Sequence, residues 1–97
     1  MLHLIFQSPI SIALLQRIES HDDVIFLENA VFQLNKHGIL TSELAKMLNN
    51  RIRFYVLELE LETRGIKIDE LVLGVEVINY PSFVELTETN KLIKSWN

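Results

Sequence analysis

The fold is decided by residues 51–65, which read RIRFYVLELELETRG. Apolar and polar residues alternate along most of this stretch, a period of two that alone predicts one long, half-exposed strand. Such a strand would be unusually long for a small domain. Glu60 and Arg64 are spaced i, i+4, and Gly65 stands where a glycine commonly follows a helix. We therefore predict a strand that ends at Leu57 and a short helix that runs to Arg64.

Short runs rich in Val, Ile and Phe predict the other strands of the sheet. In chain order the four predicted strands are Met1–Phe6, Asp23–Glu28, Ile52–Leu57 and Val75–Asn79, with Leu71–Leu73 leading into the last. Nearly continuous apolar runs of this kind are typical of parallel strands that are covered on both faces.

Segments with helical spacing lie between these strands. Ser8 and Pro9 predict a helix that has proline at its first position, followed by an apolar stripe of Ile12, Leu15 and Ile18. A short helical turn is predicted at Asn29–Gln33. The next predicted helix is capped by Thr41 or Ser42, and its inner face consists of Leu44, Met47 and Leu48. The last predicted helix begins with Tyr80 and Pro81, and one of its sides carries Phe83, Val84 and Thr87.

Alternation of strands and helices predicts right-handed crossovers and a parallel sheet between two helical layers. The chain has 97 residues, fewer than the roughly 150 of an average domain, so we expect a single domain over residues 1–97. The predicted fold class is α/β, a small three-layer sandwich of flavodoxin-like type. Its parallel sheet has about four to five strands with helices on both faces.

Composition excludes several classes of function. The chain has 9 Lys and Arg against 13 Asp and Glu, a net charge of −4, which argues against direct nucleic-acid binding. Cysteine is absent, so thiolate metal sites and thiol nucleophiles are excluded. No stretch reaches the roughly 18 apolar residues of a membrane span, and no charged leader precedes residues 1–6. We expect a soluble intracellular protein that contacts no membrane.

The residues with catalytic or binding chemistry form no recognisable site. The first turn, residues 6–11, lacks glycine and contains a proline, so an ordinary helix cap is favoured over a phosphate cradle. His3, His21 and His37 lack metal-ligand spacing, and a satisfied or solvent-facing histidine is the expectation for each. The serines lack a base partner.

The carboxylates are interpreted in the same way. Asp22 and Asp23 are predicted to be solvated loop charges. Glu58, Glu60 and Glu62 would supply an acid–base pair only if one were desolvated in a cleft, and they are more typical of a solvated face or of a rim that meets a basic partner. We predict no catalytic, cofactor-binding or metal-binding residue.

Several short motifs, in their order and spacing, resemble the DsrH/TusB family of sulfur-relay subunits over essentially the full chain. They are Met1–His3, Ser8-Pro9, Leu27–Val31, Tyr55–Leu57, Leu61, Thr63–Ile66, Ile78–Tyr80, Phe83–Glu88 and Trp96. The resemblance implies a DsrE-like fold and a cytoplasmic complex with TusC-like and TusD-like sister subunits. It also implies a persulfide relay from a TusA-like donor to a TusE-like acceptor, which ends in 2-thiouridine at the wobble position of tRNA.

The same resemblance bears on catalysis. Some family members of the sulfur-oxidation branch have a cysteine near the position of Leu14, and this chain has none. That departure favours the tRNA branch and a supporting role, with the sulfur-carrying cysteine on the TusD-like subunit. No catalytic residue is carried over.

Two aromatic residues are candidates for an interface or for anchoring the fold. Phe83 lies in the last predicted helix, and Trp96 lies in a tail where chain ends usually fray. We expect the tail to fold back on the domain, an arrangement that does not exclude contact with a partner. Three alternative functions stay open at this point: a DsrH-like subunit of a sulfur-oxidation complex, a small-ligand-binding or flavin-binding flavodoxin-like module, and an acid–base enzyme that uses a glutamate of residues 58–62.

Overall fold

The computed structural model describes all 97 residues and is built on a five-stranded sheet. The strands are β1 (Leu2–Ile5), β2 (Asp23–Phe26), β3 (Arg53–Leu57), β4 (Glu76–Ile78) and β5 (Ile93–Trp96). They lie in the order β4-β3-β2-β1-β5, and every neighbouring pair is parallel.

Helices cover both faces of this sheet, as predicted. They are α1 (Ile12–Leu15), α2 (Thr41–Asn49), α3 (Glu58–Thr63) and α4 (Tyr80–Thr89), with 3-10 turns at Glu28–Leu34 and Ile68–Glu70. The crossovers from β1 to β4 all step in one direction, so right-handed connections place α1 to α3 on one face. The chain then returns to β5 beside β1, which places α4 on the other face. The predicted α/β three-layer sandwich is confirmed.

The two faces differ greatly in their cores. The face under α1 to α3 holds a cluster of 19 buried residues, in which the rings of Phe26 and Phe54 meet edge to face at 5.2 Å. The face under α4 holds a hydrophobic cluster of only three buried residues, Leu2, Ile25 and Leu27. No residue of α4 is itself buried. One helix therefore covers this face incompletely.

The strand-to-helix break in the deciding stretch is confirmed. β3 ends at Leu57, α3 begins at Glu58, and Arg64 pairs with Glu60 at 3.1 Å. Gly65 adopts the left-handed conformation at φ +65°, which glycine reaches without steric cost. The break turns Leu61 into the large core, where it is 3% exposed.

The C-terminal tail, for which the sequence predicts no strand, folds back and forms the fifth strand of the sheet. A sheet of five strands agrees with the predicted four to five. The backbone N–H of Leu2 donates to the carbonyl of Leu92 at 2.9 Å, and that of Phe6 donates to the carbonyl of Trp96 at 2.9 Å. Strand β5 is thus held along its length by β1.

The predicted start of the first helix is wrong. Helix α1 begins at Ile12, and its cap is Ser11, whose Oγ accepts from the backbone N–H of Leu14 at 3.1 Å. Pro9 lies in the preceding turn and is not a helical residue. Ile12 is half-exposed, because the shorter helix turns Leu14 toward the core instead.

The predicted side-chain cap of α2 is also wrong. Leu40 stands at the cap position and no side chain caps the helix. The Thr41 hydroxyl instead donates to the carbonyl of Gly38 at 2.9 Å, which fastens the preceding loop. Leu44 and Met47 do form the buried face of α2, as predicted.

Candidate functional site

The carboxyl ends of the strands, where sites usually lie in α/β sheets, are closed at β1 and β5. The backbone N–H groups of Phe6 and Gln7 both donate to the carbonyl oxygen of Trp96, at 2.9 and 3.3 Å. The Gln7 side-chain amide donates to the carbonyl of Asn97 at 3.0 Å. These donors are already used within the fold and are not free to hold a phosphate.

The glutamates at the start of α3 divide into one structural group and two solvent-facing ones. Glu60 accepts a hydrogen bond from the backbone N–H of Glu28, which sits at φ +53°, and also pairs with Arg64. Glu60 therefore fastens the 3-10 turn after β2 to α3. Glu58 and Glu62 are exposed. Neither has the desolvated setting that an acid–base pair at neutral pH requires.

A groove lies beside these two carboxylates, between the start of α3 and the start of α4. It has a volume of about 400 Å³ and is lined by Leu57, Glu58, Leu59, Glu62, Asn79, Tyr80 and Pro81. We call it the α3–α4 groove. Leu59 and Tyr80 are each 67% exposed, which is high for large apolar side chains. The lining holds two carboxylates and no cationic side chain.

Phe83 joins this groove to the thinly covered face of the sheet. It packs, half-buried, against the cluster of Leu2, Ile25 and Leu27, and its ring lies 5.9 Å from that of Tyr80. Apolar surface therefore runs continuously from the groove onto α4.

Trp96 lies on the sheet face that α1 to α3 cover, where its side chain is one end of a chain of hydrogen-bonded polar groups. Its indole Nε1 donates to Nδ1 of His3 at 3.1 Å, and Nε2 of His3 contacts Oδ2 of Asp22 at 2.9 Å. The indole N–H is only a donor, so Nδ1 of His3 accepts and the ring proton sits on Nε2. His3 is 2% exposed and has both nitrogens bonded, which confirms the expectation of a satisfied histidine.

The prediction that Asp22 and Asp23 are solvated loop charges is wrong. Asp23 is buried, and it accepts from Arg53 Nε at 2.8 Å and from Asn90 Nδ2 at 3.1 Å. Asp22 contacts His3 and accepts from the backbone N–H of Glu19 at 3.0 Å. Both carboxylates are structural acceptors at the amino ends of β1 to β3.

Two pKa values are shifted by this environment. Burial by itself would raise the pKa of Asp22, but hydrogen bonds from Glu19, His3 and the terminal ammonium outweigh it, so the pKa lies below its usual 3.8. The pKa of Tyr55 is raised above 10.0 by burial and by the negative charge of Asp23. Both groups therefore keep, at neutral pH, the protonation state that their hydrogen bonds need.

The structure does not bring the two candidate anchors together. Phe83 belongs to α4 and packs on the sheet face that this helix covers, while Trp96 packs on the face of α1 to α3. Sequence reasoning did not identify the α3–α4 groove, and it interpreted the glutamates on its rim as a solvated face or as a rim that meets a basic partner. No three His, Asp or Glu side chains are placed together to hold a metal ion. No helix combines the length and the apolar composition that crossing a membrane requires.

Known proteins resemble this chain in sequence and in structure. The family model described as DsrH like protein matches residues 6–92. Protein TusB of Buchnera aphidicola subsp. Baizongia pistaciae is 35% identical, with 99% of this chain and 100% of the relative covered. Protein TusB of Serratia proteamaculans is 34% identical at the same coverage.

Among solved structures, the protein of unknown function MTH1491 from Methanobacterium thermoautotrophicum superposes with a TM-score of 0.79. The match covers 98% of this chain and 96% of that one at 17% identity, so it supports the α/β fold and nothing further. The family match and both relatives extend over nearly the whole sequence. The chain therefore belongs to the family of DsrH-like proteins.

Proposed function

We propose that this protein is a non-catalytic subunit of a TusBCD-like sulfur-relay complex, and that residues 1–97 act as a single DsrH/TusB-like domain in it. The complex would sit in the cytoplasm and pass persulfide sulfur from a TusA-like donor to a TusE-like acceptor, toward 2-thiolation of the wobble uridine in tRNA. The observation that carries the proposal is the similarity, over 99% of the chain, to two proteins named TusB.

The chemistry of the chain fits a supporting role. A persulfide relay runs on cysteine thiolates, and this chain has no cysteine. The TusD-like subunit would carry the sulfur, and this subunit would hold it in position. Aligning two reacting groups in this way can be worth about 7–11 kcal/mol in ideal cases.

The thinly covered sheet face supports an obligate partner. Helix α4 has ten residues, none of them buried, and it lies over a hydrophobic cluster of only three buried side chains. Contact with a sister subunit would remove the half-exposed apolar surface of Phe83 and its neighbours from water, at about 25 cal/mol per Å².

Co-elution tests the proposal. The protein is co-expressed with the TusC-like and TusD-like proteins of its own organism, one of which carries an affinity tag. The material that this tag retains is eluted and analysed by size-exclusion chromatography. We expect one species that contains all three chains in constant ratio. Three folded proteins that elute separately at micromolar concentration would contradict the proposal.

A further inference from the structure

We infer that the α3–α4 groove is a docking pocket for a sister subunit, and that its occupant is an apolar side chain flanked by lysine or arginine. This inference rests on the proposed function, because it supplies the contact surface for that assembly. Its observation is the juxtaposition of exposed Leu59 and Tyr80 with Glu58 and Glu62 around a groove of about 400 Å³.

The apolar part of the groove has the properties of an anchor site. Leu59 of α3 and Tyr80 of α4 both line the groove, and each is 67% exposed. Interface energy concentrates in a few apolar anchors that fill pockets surrounded by polar residues. One apolar side chain of a partner would cover both residues at once.

The charged rim selects the flanks of the occupant. Glu58 and Glu62 also border a second groove of about 470 Å³ on the other side of α3, where Lys67 is the lone cation. The nearest arginine, Arg64, is already paired with Glu60. The rim therefore keeps a net negative charge, which attracts a basic segment and repels an acidic one.

The groove is continuous with a larger apolar surface. The ring of Tyr80 lies 5.9 Å from that of Phe83, which leads onto the thinly covered face under α4. A stable interface buries about 800 Å² on each partner, more than the groove alone provides. The groove would hold the anchor, and the α4 face would supply the remaining area.

A second copy of this chain is the competing occupant. Residues 91–94 read KLIK, an exposed apolar pair between two lysines, and they run into β5, which begins at Ile93 and is an edge strand of the sheet. Docking of this segment into the groove of another copy would be head to tail, which builds open filaments unless the rotation closes. Lys94 is also placed over the ring of Trp96 at 4.8 Å, so one of the two flanking charges is already engaged. A sister subunit is therefore favoured.

Two substitutions test the groove without threatening the fold. Leu59→Asp places a carboxylate in the first turn of α3, where the helix dipole favours it, at an exposed position. Glu62→Lys places a cation in the last turn, which the dipole also favours. The matched controls are Leu73→Asp, at a leucine that is 95% exposed and outside the groove, and Glu19→Lys, at an exposed glutamate far along the chain.

Affinity of each full-length variant for the purified sister subunits is measured by titration at low and high salt. We expect Leu59→Asp to weaken binding at least about 30-fold, the size of a hot-spot loss. Glu62→Lys should weaken it about tenfold at low salt and less at high salt, where the rim charges are screened. Both controls should bind like the unmodified chain.

Each further outcome is decisive. The docking inference is wrong, while the proposed function stands, if the groove variants bind the sister subunits as tightly as the unmodified chain does. The same conclusion follows if the control variants lose as much affinity as the groove variants lose. If the unmodified chain does not bind the sister subunits, the proposed function itself fails. If the chain alone self-associates in sedimentation and Leu59→Asp abolishes that, the occupant is a second copy and the inference is overturned.

Discussion

Trp96→Phe removes one hydrogen-bond donor from a buried site while keeping an aromatic ring on β5. In the structure the indole Nε1 donates to Nδ1 of His3 at 3.1 Å, and His3 is 2% exposed. Phenylalanine leaves that nitrogen buried without a donor, which costs about 1–3 kcal/mol. For a domain of this size the corresponding fall in Tm is at least about 4 °C.

The assay is urea unfolding followed by far-UV circular dichroism, because Trp96 is the single tryptophan and its fluorescence is lost in the variant. Tyr80→Phe is the matched control, since it removes an exposed hydroxyl and should change the free energy of unfolding by less than about 0.5 kcal/mol. A double-mutant cycle with His3→Leu should give a coupling energy of about 1–3 kcal/mol. Additivity of the two substitutions within about 0.5 kcal/mol would refute the hydrogen-bonded chain as described.

Substitutions at three further positions are each tested by the free energy of unfolding in urea. Phe83→Ala should lower the free energy of unfolding by less than about 3 kcal/mol, because Phe83 is half-buried and that value is the lower bound for a fully buried phenylalanine. Phe54→Ala, at a buried phenylalanine, is the comparison, and equal losses at both positions would contradict this expectation. Asp22→Asn should lower the free energy of unfolding at neutral pH, and this loss should disappear in strong acid. The pKa of Asp22 is lowered in the folded state, so its ionised form stabilises the fold above the usual pKa, and that stabilisation is lost as the pH falls through the folded pKa. A loss that does not vary with pH would refute the ionic role. Gly65→Ala should cost about 1–2 kcal/mol from the left-handed backbone alone, since nothing lies within 4 Å of the added Cβ, and Gly65→Asn should cost less.

The sheet and its main helices could be predicted because their signals are local. The spacing of Glu60 and Arg64 and the glycine at position 65 were enough to end β3 at Leu57. The fifth strand could not be predicted in that way. Its backbone hydrogen bonds run to β1 and to Phe6 and Gln7 just after it, about ninety residues earlier in the chain, and the residues KLIKSW lack a strand pattern of their own. Residues 93–96 therefore form a strand because they pair with β1, which is distant in the sequence.

The polar interior was missed for the same reason. Asp23 and Arg53 lie opposite one another where β2 and β3 begin, a relation that appears only when the parallel register is known. The contact of Asp22 with His3 likewise appears only when β1 and β2 are placed side by side. The α3–α4 groove combines the carboxylates of α3 with Tyr80 of α4, which tertiary structure alone brings together. Sequence reasoning identified the cluster of glutamates but not the exposed Leu59 and Tyr80 that line the groove beside it.

The relay role is tested most directly in the tRNA. The gene is deleted in its own organism, tRNA is digested to nucleosides, and 2-thiouridine derivatives are measured by mass spectrometry. The account predicts a clear fall in thiolation, restored by the unmodified gene and by Leu73→Asp but not by Leu59→Asp. Normal thiolation in the deletion strain, with no second copy of the gene, would contradict the account and favour the sulfur-oxidation or ligand-binding alternative.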